Sequence, residues 1–205
     1  MKKVNNSEDK IIQAALKEFS TFGFAGARVD AIAEKAKVNK AMIYYHFKSK
    51  EKLYEKLLSD VTANVFKHIE EAAHVEGKPL DVFYAVINRY IQLFKSLDKN
   101  IPPILLREII DGGKYFNKII VPNLMEPVFA LIEPIVREAK KQGSIRDVNP
   151  FYTFLQFIGS VVFFNLLKVP VSKSSFNIFV MNEERMDDYY ENLLLIFKNG
   201  IELKG

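Results

Sequence analysis

Residues 26–53 read GARVDAIAEKAKVNKAMIYYHFKSKEKL, and the spacing of their apolar residues decides how the first quarter of the chain folds. Val29, Ile32, Ala33 and Ala36 recur at helical period and make one small apolar face. Val38 and Asn39 break that period. The side-chain oxygen of Asn39 is suited to accept from the free amides that open the next helix. From Lys40 the helical pattern returns. Ile43 and Phe47, four residues apart, turn inward and leave Lys40, Ala41, Tyr44, Tyr45 and His46 outside. Two short helices joined by a tight turn, the second presenting amines, phenols and an imidazole, predict a helix-turn-helix for double-stranded DNA.

Outward from this stretch the chain reads as helix almost throughout, and no segment alternates with period two, so the predicted class is all-α. A first helix is expected from about Glu8 to Phe22, with Ile12, Ala15, Leu16 and Phe19 as its stripe and Gly23 as its stop. A long helix starts at Lys50, carries Leu53, Leu57, Val61, Val65, Ile69 and Ala72 inward, and ends near Glu76-Gly77. Pro79 opens the next, with Leu80, Phe83, Ile87, Tyr90, Phe94 and Leu97 in register. A short helix from Pro102 to Asp111 ends on Gly112-Gly113. Lys114 to Gln142 is helical in period, but Pro122, Pro127 and Pro134 predict kinks or breaks, and Gly143 stops it. Asn149-Pro150 is a cap followed by a first helical position, for a helix to about Leu167. A loop over Lys168–Asn182 and a last helix from about Glu183 complete the chain; that helix carries Met186, Tyr189, Tyr190, Leu193, Phe197 and Ile201 on its stripe.

The net charge of +4 hides an asymmetry. Residues 1–57 hold twelve Lys and Arg against seven Asp and Glu (+5), whereas residues 58–205 hold seventeen against eighteen (−1). The excess lies with the helix-turn-helix, as a phosphate-facing head requires. The chain has no cysteine, which excludes disulfides, thiolate zinc sites and cysteine nucleophiles. No secretory leader opens the chain, so a cytoplasmic location is expected.

The head resembles the DNA-binding domain of the tetracycline-repressor (TetR/AcrR) family. The resemblance rests on Phe22, Gly23, Val29, Ile32, Ala33, Ala36, Val38, Lys40, Tyr44, Tyr45, His46, Phe47, Lys48, Lys50 and Leu53. It implies a three-helix DNA-binding domain over 1–50 and a helical effector-binding and dimerisation domain over 51–205. It also implies a homodimer on a palindromic operator, released by a small-molecule effector, with no cofactor.

The outward residues divide between two kinds of DNA contact. Tyr44, Tyr45, His46 and Lys48 offer donors for phosphates, and the resemblance implies the same roles, with Tyr44 ranked above Tyr45. Lys48 and Lys50 stand at the start of the long helix, where amines and the helix dipole favour an anion. Lys40 stands at the amino end of the recognition helix, where a lysine can donate to guanine O6 and N7. Ala41 is small enough for the backbone to approach base edges, and Met42 either meets a thymine methyl or has no role. Three positions depart from the family pattern. Ala27, followed by Arg28, stands where threonine is usual; either Arg28 supplies the lost phosphate contact or it is merely exposed. Lys37 replaces the usual turn glycine and, if left-handed, costs about 1 kcal/mol. Asn39 replaces serine as the cap.

The resemblance implies an effector pocket within residues 50–167, and thirteen of the seventeen phenylalanines follow residue 57. The candidates are Phe83, Ile87, Tyr90, Phe94, Leu105, Arg107, Glu108, Phe116, Phe129, Phe154 and Phe157, which suit a lipophilic or aromatic effector or else are ordinary core. The helix from Phe151 to Leu167 is apolar nearly all round. Its shortness and its polar interruptions at Thr153, Gln156, Ser160 and Asn165 argue against a membrane span, and the alternative is a helix buried on two sides, against its own core and against a second copy, as the resemblance implies. Phe151, Phe154, Ile158, Val162, Tyr189, Leu193 and Phe197 are the expected dimer contacts.

Catalysis is not expected. The three histidines, His46, His68 and His74, show no metal-ligand spacing, and no phosphate loop or nucleophile motif appears. The rival to an operator-specific regulator is a nucleoid or cell-division factor using the same head without sequence preference.

Overall fold

The computed structural model describes residues 7–171, 174 and 186–203. Its helices are α1 (Ser7–Gly26), α2 (Val29–Ala36), α3 (Lys40–Phe47), α4 (Lys50–Ala73), α5 (Pro79–Ser96), α6 (Ile101–Ile110), a π-helical segment (Phe116–Met125), α7 (Glu126–Lys141), α8 (Pro150–Val171) and α9 (Met186–Ile201). Among the described residues the nearest approach to a sheet is one antiparallel bridge, Ile145 to Glu202. The all-α class therefore stands. Helix α8 runs on to Val171, past the expected end at Leu167. Residues 172–173 and 175–182 of the expected loop, and the expected helix start at Glu183, lie outside the described residues.

The chain forms two compact units, Met1–Val65 with Asp98–Met125 and Phe66–Leu97 with Glu126–Gly205. The core of the first gathers Ile11, Ala15 and Phe19 of α1, Ile32 and Ala36 of α2, Ile43 and Phe47 of α3, Leu53, Tyr54, Leu57 and Leu58 of α4, and Ile104, Ile119 and Ile120. Each large apolar side chain so buried contributes about 1.5–3 kcal/mol. The expected stripe of α1 is corrected by one residue: Ile11 is fully buried and Ile12 only partly. Gly23 is not the stop of α1 but a kink within it, at φ +67°, after which the helix resumes to Gly26. A side chain at Gly23 would meet the Cδ of Arg107 at 3.5 Å, and the left-handed backbone suits only glycine without strain.

The prolines behave unequally. Pro122 lies in the π-helical segment, whose wider turn accommodates a residue without an amide donor. Pro127 falls in the first turn of α7, where the missing donor costs nothing. Pro134 sits inside α7 without ending it, so the expected break there is absent.

In the second unit α5, α7, α8 and α9 pack together. Val128, Ile132 and Val136 keep strict four-residue spacing on α7 and are buried. Phe154, Phe157, Val161 and Phe164 form the buried side of α8. Asn149 Oδ1 accepts from the amides of Phe151 (3.0 Å) and Tyr152 (3.2 Å), the cap expected from the Asn-Pro pair.

Candidate nucleic-acid interface

A buried acid fixes the head. Glu18 of α1 is 2% exposed, ion-paired with Lys35, and accepts from the backbone amide of Arg28 at 3.3 Å. It therefore holds both ends of α2 against α1. Burying a carboxylate is costly unless it is paired and hydrogen-bonded, and both conditions are met.

The turn follows. Lys37 is left-handed, φ +55° and ψ +45°, and the amide of Val38 donates back to Ala33 O at 3.1 Å. Asn39 is extended, and its Oδ1 accepts from the amide of Ala41 at 2.8 Å. The recognition helix α3 thus starts at a fixed point. Its first residue, Lys40, is exposed and ion-paired with Asp30 of α2 at 2.8 Å. Lys40 holds the Asp30 carboxyl below its ordinary range, and Asp30 raises the Lys40 amine in return. Ala41 is exposed, and Met42 is half-buried against the core of the head. Tyr44 and Tyr45 are both exposed, Tyr45 the more so.

The end of α3 is strained. Lys48 takes φ +67° and ψ −40°, and the amide of Ser49 donates to Phe47 O at 2.8 Å, a γ-turn of the rare positive-φ kind. Such strain persists where the surroundings over-determine it, and it clusters at functional positions. The Lys48 amine donates to Tyr45 O at 3.2 Å and lies over the Tyr45 ring. His46 Nε2 is 2.7 Å from Ser7 Oγ, so α1 steadies the end of the recognition helix. Lys50 is otherwise engaged. Its amine donates to the carbonyls of Ala25 (3.3 Å) and Ala27 (3.0 Å) and sits 4.7 Å over the Phe24 ring. The expectation of a free phosphate-binding amine there is corrected: Lys50 fastens the end of α1 to the start of α4. Arg28 is exposed beside the start of α2, and its side chain makes no capping bond. The neighbouring Ala27 is buried.

The eleven effector-pocket candidates fall in different units. Phe83, Ile87, Tyr90, Phe94, Phe129, Phe154 and Phe157 belong to the second. There Tyr90 meets Phe94 at 4.8 Å and Phe157 at 6.3 Å between ring centroids, and Phe157 meets Phe197 at 5.1 Å. Leu105, Arg107, Glu108 and Phe116 belong to the first. Glu108 is buried and occupied: it accepts from Tyr54 Oη (2.7 Å) and from the amides of Tyr115 (3.0 Å) and Phe116 (3.3 Å). Arg107 donates to Thr21 O at 2.8 Å, and Ser20 donates to Asn100 Oδ1 at 3.0 Å. These bonds tie α6 to α1 and α4.

The dimer candidates are sorted differently from the expectation. Phe154 is buried, and Phe197 packs on Phe83 and Phe157. Tyr189 stacks on Phe164 at 3.7 Å and donates to Ser160 O at 2.7 Å, which pins α9 to α8 within one chain. Ile158, Val162 and Leu193 are half-buried, and Phe151 is exposed. The exposed apolar residues of α8 and α9 are Phe151, Tyr152, Leu155, Phe163, Leu167, Leu195 and Ile196. Of the expected dimer contacts the single chain thus buries Phe154, engages Phe197 and Tyr189, and leaves Phe151 exposed.

Glu18, Ser7 and Asp30 stand outside the set of residues expected from the sequence. Glu18 was legible in principle: it falls with Ile11, Ala14 and Ala15 on one helical face, so an acid there had to be buried and paired.

An exposed recognition helix on a buttressed three-helix head, followed by a helical body, defines a helix-turn-helix DNA-binding regulator. A family model described as bacterial regulatory proteins, tetR family, matches residues 11–57. The transcriptional regulator RutR of Escherichia coli O157:H7 is 35% identical over 157 residues, covering 72% of this chain and 68% of its own. The transcriptional repressor NicS of Pseudomonas putida is 27% identical over 163 residues, covering 78% and 76%. The fold matches the ketosteroid transcriptional regulator KstR2 of Mycobacterium tuberculosis with a TM-score of 0.75 at 16% identity, over 98% of each chain. The chain belongs to the TetR family of bacterial transcriptional regulators.

Proposed function

We propose that this TetR-family regulator is a cytoplasmic homodimeric repressor that binds a palindromic DNA operator and is released by a small lipophilic or aromatic effector. The observation that carries the reading is the recognition helix. Lys40, Ala41, Tyr44 and Tyr45 stand exposed on one short helix whose start is fixed by the Asn39 cap and whose end is held by Ser7. Lys40 serves base edges, while Tyr44, Tyr45, His46, Lys48, Arg28 and Lys37 serve phosphates.

Residues 1–50 are the DNA-binding domain and 51–205 the effector-binding and dimerisation domain. Dimerisation is supported by the exposed apolar side of α8 and α9. Phe151, Tyr152, Leu155, Phe163 and Leu167 of α8 and Leu195 and Ile196 of α9 are exposed in the single chain, which leaves a broad surface for a second copy. The aromatic cluster of Phe83, Tyr90, Phe94 and Phe157 supports a lipophilic effector. The long helix α4, which starts from the head at Lys50, carries the effector's change. Release follows if the effector favours a conformer whose two recognition helices miss major grooves ~34–36 Å apart.

The test is selection of bound sites from fragmented source genomic DNA, followed by affinity measurements at two salt concentrations. A short palindrome whose binding is weakened by Lys40→Ala supports the reading. No consensus, with steep salt dependence alone, would replace it with a non-specific chromosome-binding role.

A further inference from the structure

Between α1 and the end of α2 the head carries an open surface basin of about 530 Å³. It is lined by Lys10, Gln13 and Lys17 of α1 and by Lys35 and Lys37 at the end of α2. Lys10, Gln13 and Lys17, three and four residues apart, share one face of α1. The Lys35 amine is paired with Glu18. Among the described residues no carboxylate stands within ion-pair distance of Lys10, Lys17 or Lys37. Three uncompensated like charges around one basin repel each other, and an anion seated there relieves the repulsion.

Two observations say which anion. The lining includes Lys37, two residues before the Asn39 cap of the recognition helix, and Lys10, one turn after the Ser7 that touches His46. The polar lining is also exposed throughout and made of lysine, whose point charge follows a phosphodiester chain. A small-molecule site would instead converge a few buried polar groups on an enclosed cavity.

We propose that this basin is a second phosphate site for double-stranded DNA, gripping the backbone of the duplex that flanks the operator core and adding affinity without reading sequence. The proposal rests on the reading of the chain as an operator-binding regulator.

The test compares two duplexes carrying the operator recovered by selection, one trimmed to the palindrome and one extended by about ten base pairs, one helical turn, on each side. Affinity is measured across a salt series for the wild type, for Lys10→Gln/Lys17→Gln, and for Lys10→Arg/Lys17→Arg. The wild type is expected to bind the extended duplex about tenfold more tightly. The glutamine variant should lose that advantage, with a salt slope shallower by up to about 0.9 per lysine in each head, and keep its ratio of operator to scrambled DNA. The arginine variant should keep both slope and advantage. A wild type with no length advantage, or a glutamine variant with unchanged slope and length advantage, would overturn the proposal. So would equal loss on both duplexes with a reduced operator ratio, since the lysines would then act through the recognition helix. Tripolyphosphate binding that the glutamine variant loses while its DNA slope stays unchanged would assign the basin to a small anion instead. If the double variant fails to fold, the single Lys10→Gln and Lys17→Gln variants carry the same comparison. A wild type without operator preference defeats the underlying reading before any variant is made.

Discussion

Lys40, the first residue of the recognition helix, is held at 2.8 Å by Asp30 of the preceding helix, so the amine proposed to read a base is engaged by an acid in the free chain. Both groups are exposed, and such pairs are weak and screened by salt. Asp30→Asn should therefore strengthen operator binding about threefold to tenfold by freeing the amine and removing a negative charge from the interface. Lys40→Ala should weaken it about tenfold or more and relax sequence preference at one base position. The carboxyl of Asp30 is depressed by Lys40, so the pair is present above the carboxylate range and lost only as pH falls through that lowered value. The gain from Asp30→Asn should then be constant from pH 6 to pH 8. Weaker binding by Asp30→Asn would mean that Asp30 aims Lys40 rather than restraining it.

Lys37 occupies a left-handed position where glycine carries no side-chain penalty. Lys37→Gly should stabilise the fold by about 1 kcal/mol, read as a rise of a few degrees in Tm. The same change should lower affinity for operator and scrambled DNA alike, because it removes an amine proposed to face phosphate. An unchanged Tm would show that the turn relaxes around the lysine at no cost. A fall confined to the operator would make Lys37 a reader of bases.

The helix-turn-helix was legible because its signals are local. The period of Ile32, Ala36, Ile43 and Phe47, the break at Val38 and the cap at Asn39 all act within a few residues, and each stands as read. What the sequence concealed depends on distant partners. Nothing near Lys50 says that its amine will be taken by carbonyls 23 and 25 residues upstream. Nothing near Glu108 says that it will receive the hydroxyl of Tyr54. Nor could a helix as uniformly apolar as α8 say which side faces in, since a period is readable only where polar residues interrupt it.

Tyr54 is buried and gives its hydroxyl to Glu108 at 2.7 Å, while the amides of Tyr115 and Phe116 occupy the other carboxylate oxygen. Tyr54→Phe leaves one buried acceptor short of its donor, and should cost about 1–3 kcal/mol in chemical denaturation. Burial first, and the bond to Glu108 second, push the Tyr54 phenol far above its ordinary value. A group whose folded pKa is raised contributes stability that is complete below its unfolded pKa, near 10, and is lost as pH rises beyond it. The wild type should therefore lose stability progressively above pH 10, and Tyr54→Phe should lose less over the same range. Parallel alkaline curves would remove Tyr54 from that account.

Phe163 of α8 and Ile196 of α9 are each more than three-fifths exposed although both are large and apolar. In a single chain such a surface stays in water at roughly 25 cal/mol per Å², which a second copy would recover. Phe163→Arg places a charge in that surface without touching the buried side of α8, which Phe157, Val161 and Phe164 hold. The variant should sediment as a folded monomer with native helix content. It should also lose the dependence of Tm on protein concentration that a dimer shows. Operator affinity should fall about a hundredfold or more, because each head would then bind its half-site without the effective concentration that the partner supplies. Binding to a single half-site should be unchanged, which separates loss of pairing from damage to the head. A Phe163→Arg protein that remains dimeric, with full operator affinity, would place the interface elsewhere on the chain.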